Sequence, residues 1–110
     1  MKKVYNKLVR DEIIKIIERD GHTCKSRILS SCEYLECLNK KLEEEVNEYL
    51  LSNEVVELAD IMEVIEAILE AKKIDKIEFE KIKTTKFNKN GGFSKKIYLE
   101  YVEITNGNTK

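Results

Sequence analysis

The chain has 110 residues, and its acidic and basic side chains balance to a net charge of −1 at pH 7. This length predicts a single domain over residues 1–110, with a core over about 7–104. The charge balance argues against a dedicated nucleic-acid-binding protein, which would carry a basic excess. No apolar run approaches membrane-spanning length and no signal peptide is recognisable, so we predict a cytoplasmic protein without membrane contact.

The N-terminal third is predicted to contain one short helix and a connection. A helix over about 11–19 follows an irregular segment, because an isoleucine-rich run supplies an apolar face. Gly21 is placed to end this helix, since glycine adopts the left-handed conformation of helix ends without strain. Ser30 and Glu33 have the spacing of a capping box, which predicts that a second helix begins there.

Three further helices are predicted from periodicity and turn residues. Two long helices cover about 32–51 and 54–72, with the turn-forming Ser52-Asn53 between them. A fourth covers about 76–88 and is stopped by Asn90-Gly91-Gly92. The sequence therefore predicts an all-α, four-helix bundle-like fold.

The C-terminal segment has the pattern of a short β-strand. Ile97, Leu99 and Tyr101 alternate along the chain with Lys96, Tyr98 and Glu100. A lone strand needs a partner, for which segment 23–29 and a second subunit are both candidates. Residues 106–110 are predicted to be disordered.

Two pairs of acids, Glu45 with Glu48 and Glu57 with Asp60, stand at helical spacing. Residues three apart lie on the same side of a helix. If the chain reverses at Ser52-Asn53, the acids nearest the turn lie level with each other, and so do the outer two. The two levels are about 4.5 Å apart along the axis, so the four acids are predicted to form a compact square.

Such a square favours a bound cation. A carboxylate at the margin of a core is costly unless it is paired or binds a metal, and neighbouring carboxylates repel one another. Ligands that offer only oxygen suit a hard ion, Mg²⁺ or Mn²⁺. The alternative is an acidic helix face that is simply solvated.

Cations flank the acids in the sequence. Lys7 and Arg10 precede them, and Lys86, Gly91-Gly92 and Lys95 follow them. A polyphosphate needs such charges, and a Gly-Gly turn permits close approach of the backbone to a ligand. The alternative is that these cations belong to an ordinary charged surface and that the Gly-Gly pair only ends a helix.

Four stretches together resemble the all-α nucleoside triphosphate pyrophosphohydrolases, in particular the MazG-like and phosphoribosyl-ATP-pyrophosphohydrolase-like group. In chain order they are KLVRDEI, KLEEEVNEYL, VELADIMEVIEAI and GGF. The resemblance covers about residues 7–99, nearly the whole chain. It departs from the family pattern at Ile14, where the family often has Pro, and at Asn90, where it often has Arg.

The resemblance implies a Mg²⁺-dependent enzyme that cleaves a nucleotide to the monophosphate and pyrophosphate, and a homo-oligomer, dimer or higher. The residues matched to metal binding are Glu45, Glu48, Glu57 and Asp60. The expected catalytic acids are Glu44, Glu45 and Glu48, with Glu44 matched to a position that helps orient the water. The residues expected at the phosphates are Lys7, Arg10, Lys86, Gly91, Gly92 and Lys95.

The substrate is left open by these residues. House-cleaning of non-canonical nucleotides and hydrolysis of a phosphoribosyl nucleotide are both compatible with acids that contact only phosphate. A non-catalytic helical module, with a regulatory or interaction role on the same scaffold, is the alternative of a different class.

Overall fold

The computed structural model describes residues 1–105, and its helices are α1 (Ile13–Arg19), α2 (Ser31–Ser52), α3 (Val55–Ala71) and α4 (Lys76–Asn90). The all-α class is confirmed for this part of the chain. The chain divides into two compact units, Met1–Asp75 and the remainder from Lys76. The predictions of one domain and of a four-helix bundle stay predictions. None of the four helices is both long and apolar enough to cross a lipid bilayer.

α1 ends at the predicted glycine. Gly21 has a φ of +86°. The backbone N–H of Gly21 donates to the Glu18 carbonyl at 3.0 Å, and that of His22 donates to the Ile17 carbonyl at 3.1 Å. This pair of bonds is the Schellman arrangement, which satisfies carbonyls that the end of a helix leaves unpaired.

α2 begins with the predicted capping box. The backbone N–H of Glu33 donates to Ser30 Oγ, and the backbone N–H of Ser30 donates to Glu33 Oε1, both at 3.2 Å. Arg27 adds two bonds to the same carboxylate, at 3.2 Å and 3.0 Å. The bonds from Arg27 and from Ser30 lower the pKa of Glu33 to about 2. The ion pair between Arg27 and Glu33 therefore stabilises the start of α2 together with the capping box.

A two-residue connection turns α2 back into α3. Asn53 has a φ of +57°, and its backbone N–H donates to the Tyr49 carbonyl at 2.6 Å. Asparagine is one of the few residues other than glycine that visit this conformation readily. The backbone N–H of Glu54 then donates to Ser52 Oγ at 3.1 Å. α2 and α3 consequently pack as an antiparallel hairpin.

The core of this hairpin is small. Leu38 of α2 and Val64 of α3 are the buried apolar side chains of the described residues, at 2% and 7% exposure. Leu58 and Met62 of α3 are also large and apolar, but their side chains are exposed. One hairpin partner therefore covers only part of the apolar face that α3 presents.

The second unit consists of α4 and the chain after it. Gly91, at a φ of +79°, follows the end of α4, and its N–H donates to the Phe87 carbonyl at 2.7 Å. A turn follows, in which the N–H of Lys96 donates to the Phe93 carbonyl at 3.1 Å.

The predicted C-terminal strand is not found. Residues 97–105 form no strand, and neither does segment 23–29. A strand is defined by hydrogen bonds to a neighbour, and its pattern alone does not supply one. The predicted disorder of residues 106–110 lies outside the described residues.

Candidate metal centre

The α2–α3 hairpin gathers five acids. Glu44, Glu45 and Glu48 lie on α2, whereas Glu57 and Asp60 lie on α3. Spacings of three and four residues place acids of the same helix on one side. Because the turn is short, the two acidic sides come together across the hairpin.

The five acids form two overlapping groups that share Glu45. The first contains Glu44 and Glu48, and the second contains Glu57 and Asp60. Within each group of three, one carboxylate oxygen per residue lies within 4.8 Å of the others. The two groups together contain the four acids of the predicted square, and Glu44 in addition.

Glu45 is the buried member of both groups. Its residue exposure is 8%. Its Oε1 lies 3.5 Å from Lys41 Nζ, while its buried Oε2 has no hydrogen-bond partner among residues 1–105. A buried, unpaired carboxylate oxygen is costly. A cation held between the acids would satisfy it.

Neighbouring negative charges contribute to the pKa shifts of Glu45 and Glu57. Burial, followed by repulsion from Glu48, raises the pKa of Glu45. Loss of solvent and repulsion from Glu48, Asp60 and Glu45 raise the pKa of Glu57. Both shifts mean that the ionised carboxylates are disfavoured, first by loss of solvent and then by the neighbouring acids, and a bound cation would offset this cost.

The irregular N-terminal segment supplies two cations to this cluster. Lys7 Nζ lies 3.0 Å from Glu44 Oε1, and Arg10 Nη2 lies 2.9 Å from Asp60 Oδ1. The Lys7 hydrogen bond lowers the pKa of Glu44, and the same bond raises the pKa of Lys7. Lys7 and Arg10, predicted as phosphate ligands, therefore contact the acids directly, and both side chains keep considerable solvent exposure.

Lys41 was not predicted as a site residue. Its Nζ lies 3.2 Å from Glu44 Oε1, and its side chain is only 15% exposed. The available signal was its position three and four residues before two acids, a spacing that brings side chains together on a helix.

The remaining predicted phosphate ligands, Lys86, Gly91, Gly92 and Lys95, belong to the second unit and are exposed there. A Cβ on Gly92 would approach Phe87 Cε2 to 3.0 Å, so a side chain at this position would require the exposed Phe87 ring to shift by a few tenths of an ångström. Their role at a phosphate stays a prediction.

Comparisons with protein-family models, with curated proteins and with solved structures find no match to this chain. The interpretation of the acid cluster therefore depends on its own geometry and on the sequence motifs.

Proposed function

We propose that the protein is a Mg²⁺-dependent nucleotide pyrophosphohydrolase, which converts a nucleoside triphosphate or a related nucleotide to the monophosphate and pyrophosphate. The observation that carries the proposal is Glu45, a buried acid with an unpaired oxygen that is shared by two groups of carboxylates. The reaction itself is inferred from the resemblance of the four sequence stretches to the nucleoside triphosphate pyrophosphohydrolases.

The donor set suits a hard divalent ion. Every member of the two groups is a carboxylate, and neither group contains His or Cys. Such a set favours Mg²⁺ over zinc, with Mn²⁺ as the alternative. Glu45, Glu48, Glu57 and Asp60 would hold the ion. A divalent ion bound there supplies a water of lowered pKa and positive charge for phosphate oxygens.

The chain's own residues would orient the reactants. Glu44 accepts hydrogen bonds from Lys7 and Lys41 and keeps a lowered pKa, so it is an ionised acceptor. It would accept a hydrogen bond from the attacking water. The water gives up a proton to solvent and its oxygen bonds to the α-phosphorus, while the bond from that phosphorus to the bridging oxygen breaks and its electron pair leaves with the pyrophosphate. Lys7 and Arg10 would neutralise charge on the departing pyrophosphate.

We also propose a homo-oligomer in which α2–α3 hairpins of two copies complete a four-helix bundle. Exposed apolar side chains flank the hairpin turn: Leu50, Leu51, Val55 and Val56. A monomer that leaves these side chains in water forfeits about 25 cal/mol for each Å² of apolar surface left uncovered.

The proposed activity is tested by unfolding the protein thermally with and without Mg²⁺ and assaying pyrophosphate release from a panel of nucleotides. We expect Mg²⁺ to raise the midpoint of unfolding and at least one nucleotide to release pyrophosphate. Asp60→Asn should lose both effects, whereas Glu63→Gln, on the same helix but outside both groups, should keep them.

Equal metal stabilisation in the wild type and Asp60→Asn would refute the site. Metal stabilisation without pyrophosphate from any nucleotide would refute the enzyme. In that case the scaffold would be a non-catalytic metal-binding module.

A further inference from the structure

The chain after α4 exposes a continuous apolar segment. Six of the eight residues over 97–104 are large and apolar or aromatic, and each is between 66% and 88% exposed. They are Ile97, Tyr98, Leu99, Tyr101, Val102 and Ile104. β-branched and aromatic residues at this density are typical of strands. An exposed segment of this kind is a template for pairing with another chain.

The segment has a defined beginning and an uneven charge distribution. The turn at Phe93 ends at Lys96, whose φ is +60°, so an extended strand can begin at Ile97. The basic residues Lys95 and Lys96 stand at this start, and Glu103 stands near the other end. Two such segments in antiparallel orientation place the basic start of each beside the acidic end of the other.

We propose that residues 97–101 pair antiparallel with the same residues of a second copy of this chain, about a two-fold axis at Leu99. This pairing is an interaction surface distinct from the acid cluster, and it does not depend on the proposed activity. It would supply the backbone hydrogen bonds that the strand pattern requires and the single chain lacks.

The position of the axis follows from the residues that face each other. In a two-fold antiparallel pair, residues equally distant from the axis stand opposite one another on the same face. With the axis at Leu99, the two copies of Leu99 meet, and Ile97 stands opposite Tyr101. The face of the two-stranded pair that carries Ile97, Leu99 and Tyr101 is then apolar around its centre.

Shifting the axis by one residue removes this match. An axis at Glu100 sets two glutamates directly opposite each other, which destabilises a strand pair. It also places Ile97 opposite Glu103. The hydrophobic pattern therefore favours an axis at Leu99 over one at Glu100. With the axis at Leu99, Lys95 of each copy stands level with Glu103 of the other, and this charge complementarity favours a second copy as the partner.

Disulfide formation between copies tests this register. The three native cysteines are free and are first replaced (Cys24→Ser, Cys32→Ser and Cys37→Ala). Single cysteines are then placed by Tyr98→Cys, Leu99→Cys and Glu100→Cys. Directly opposite residues lie about 4.5–5.5 Å apart between Cα atoms, within reach of a disulfide.

We expect Leu99→Cys to form a covalent dimer at least ten-fold faster than either neighbour alone. A mixture of Tyr98→Cys and Glu100→Cys should also cross-link rapidly, because these positions stand opposite each other in the proposed register. Equal rates at all three positions, or no dimer at Leu99→Cys, would overturn the proposal. So would preferential cross-linking of Leu99→Cys to Ile28→Cys, which would assign the strand to segment 23–29 of the partner.

A measurement on the unmodified sequence covers the case in which the cysteine variants fail to fold. In a mixture of isotope-labelled and unlabelled protein, isotope-filtered NMR should show intermolecular contacts between Ile97 and Tyr101. Absence of these contacts at a concentration where the protein sediments as a dimer would refute the strand pair.

Discussion

At the scale of single residues, Glu45 concentrates the unfavourable electrostatics of the hairpin. It is buried, it belongs to both groups of acids, and one of its oxygens is unpaired among the described residues. Lys41 is its ion-pair partner at 3.5 Å. Lys7, Arg10 and Lys41 are three cations against the five acids of the two groups, so the cluster keeps an excess of negative charge.

Glu45→Gln should separate the electrostatic cost of the buried Glu45 charge from the contribution of this residue to metal binding. Removing the buried charge relieves repulsion with Glu48, so we expect the metal-free variant to gain about 1 kcal/mol in free energy of unfolding. The additional stabilisation by Mg²⁺ should disappear. Urea unfolding with and without Mg²⁺ measures both effects, with the exposed neighbour Glu43→Gln as control. Undiminished Mg²⁺ stabilisation in Glu45→Gln would count against the site.

Arg10 competes with any cation that approaches Asp60, since its guanidinium lies 2.9 Å from that carboxylate. Arg10→Gln should tighten Mg²⁺ binding by up to about five-fold in the absence of nucleotide, because an exposed ion pair contributes about 0.2–1 kcal/mol. Calorimetric titration measures this change, and Arg19→Gln, at the end of α1, is the matched control. Weaker Mg²⁺ binding in Arg10→Gln would show that the arginine organises the site.

At the scale of elements, the ends of the helices are fixed by local chemistry. The capping box at Ser30, the Schellman end at Gly21 and the left-handed Asn53 all use residues within a few positions of one another. Their sequence signals are local for the same reason. The predicted ends of α2 and α3 accordingly lie within one residue of the observed ones.

The start of α2 should make stability depend on pH through Glu33. Its pKa in the folded protein is lowered to about 2 from an ordinary value of 4.5. Ionised Glu33 therefore stabilises the fold above pH 4.5, and this contribution is lost as the pH falls from 4.5 towards 2.

Glu33→Gln should be less stable than the wild type at neutral pH, and the difference should shrink over that window. Urea unfolding at several pH values checks this, with the exposed Glu66→Gln as control. A difference that stays constant from neutral pH to pH 2 would contradict the assigned pKa.

At the scale of the whole molecule, the amount of exposed apolar surface is the dominant feature. The described residues bury two apolar side chains, Leu38 and Val64, whereas Leu51 and Val55 beside the hairpin turn are exposed. Burial of apolar area is the main favourable term in folding, and the proposed second copy would supply contacts for these side chains.

Self-association through the hairpin is tested by Leu51→Asp. We expect the wild type to sediment as a dimer or larger at micromolar concentration, and the variant to shift towards monomer by at least ten-fold in dissociation constant. Asn47→Asp adds the same charge at an exposed polar position of α2 and should leave association unchanged. A wild type that sediments only as a monomer would contradict the proposed assembly.

The sequence by itself determined the four helices and the grouping of acids on α2 and α3. Both follow from helical periodicity and from caps and turns that act over three or four residues. The tertiary structure alone decided that Glu45 is shared by two groups, that Arg10 reaches Asp60 and that residues 97–105 form no strand with any other described segment. Each depends on helix rotation or on contacts between distant residues, and a pattern along the chain carries no information about either.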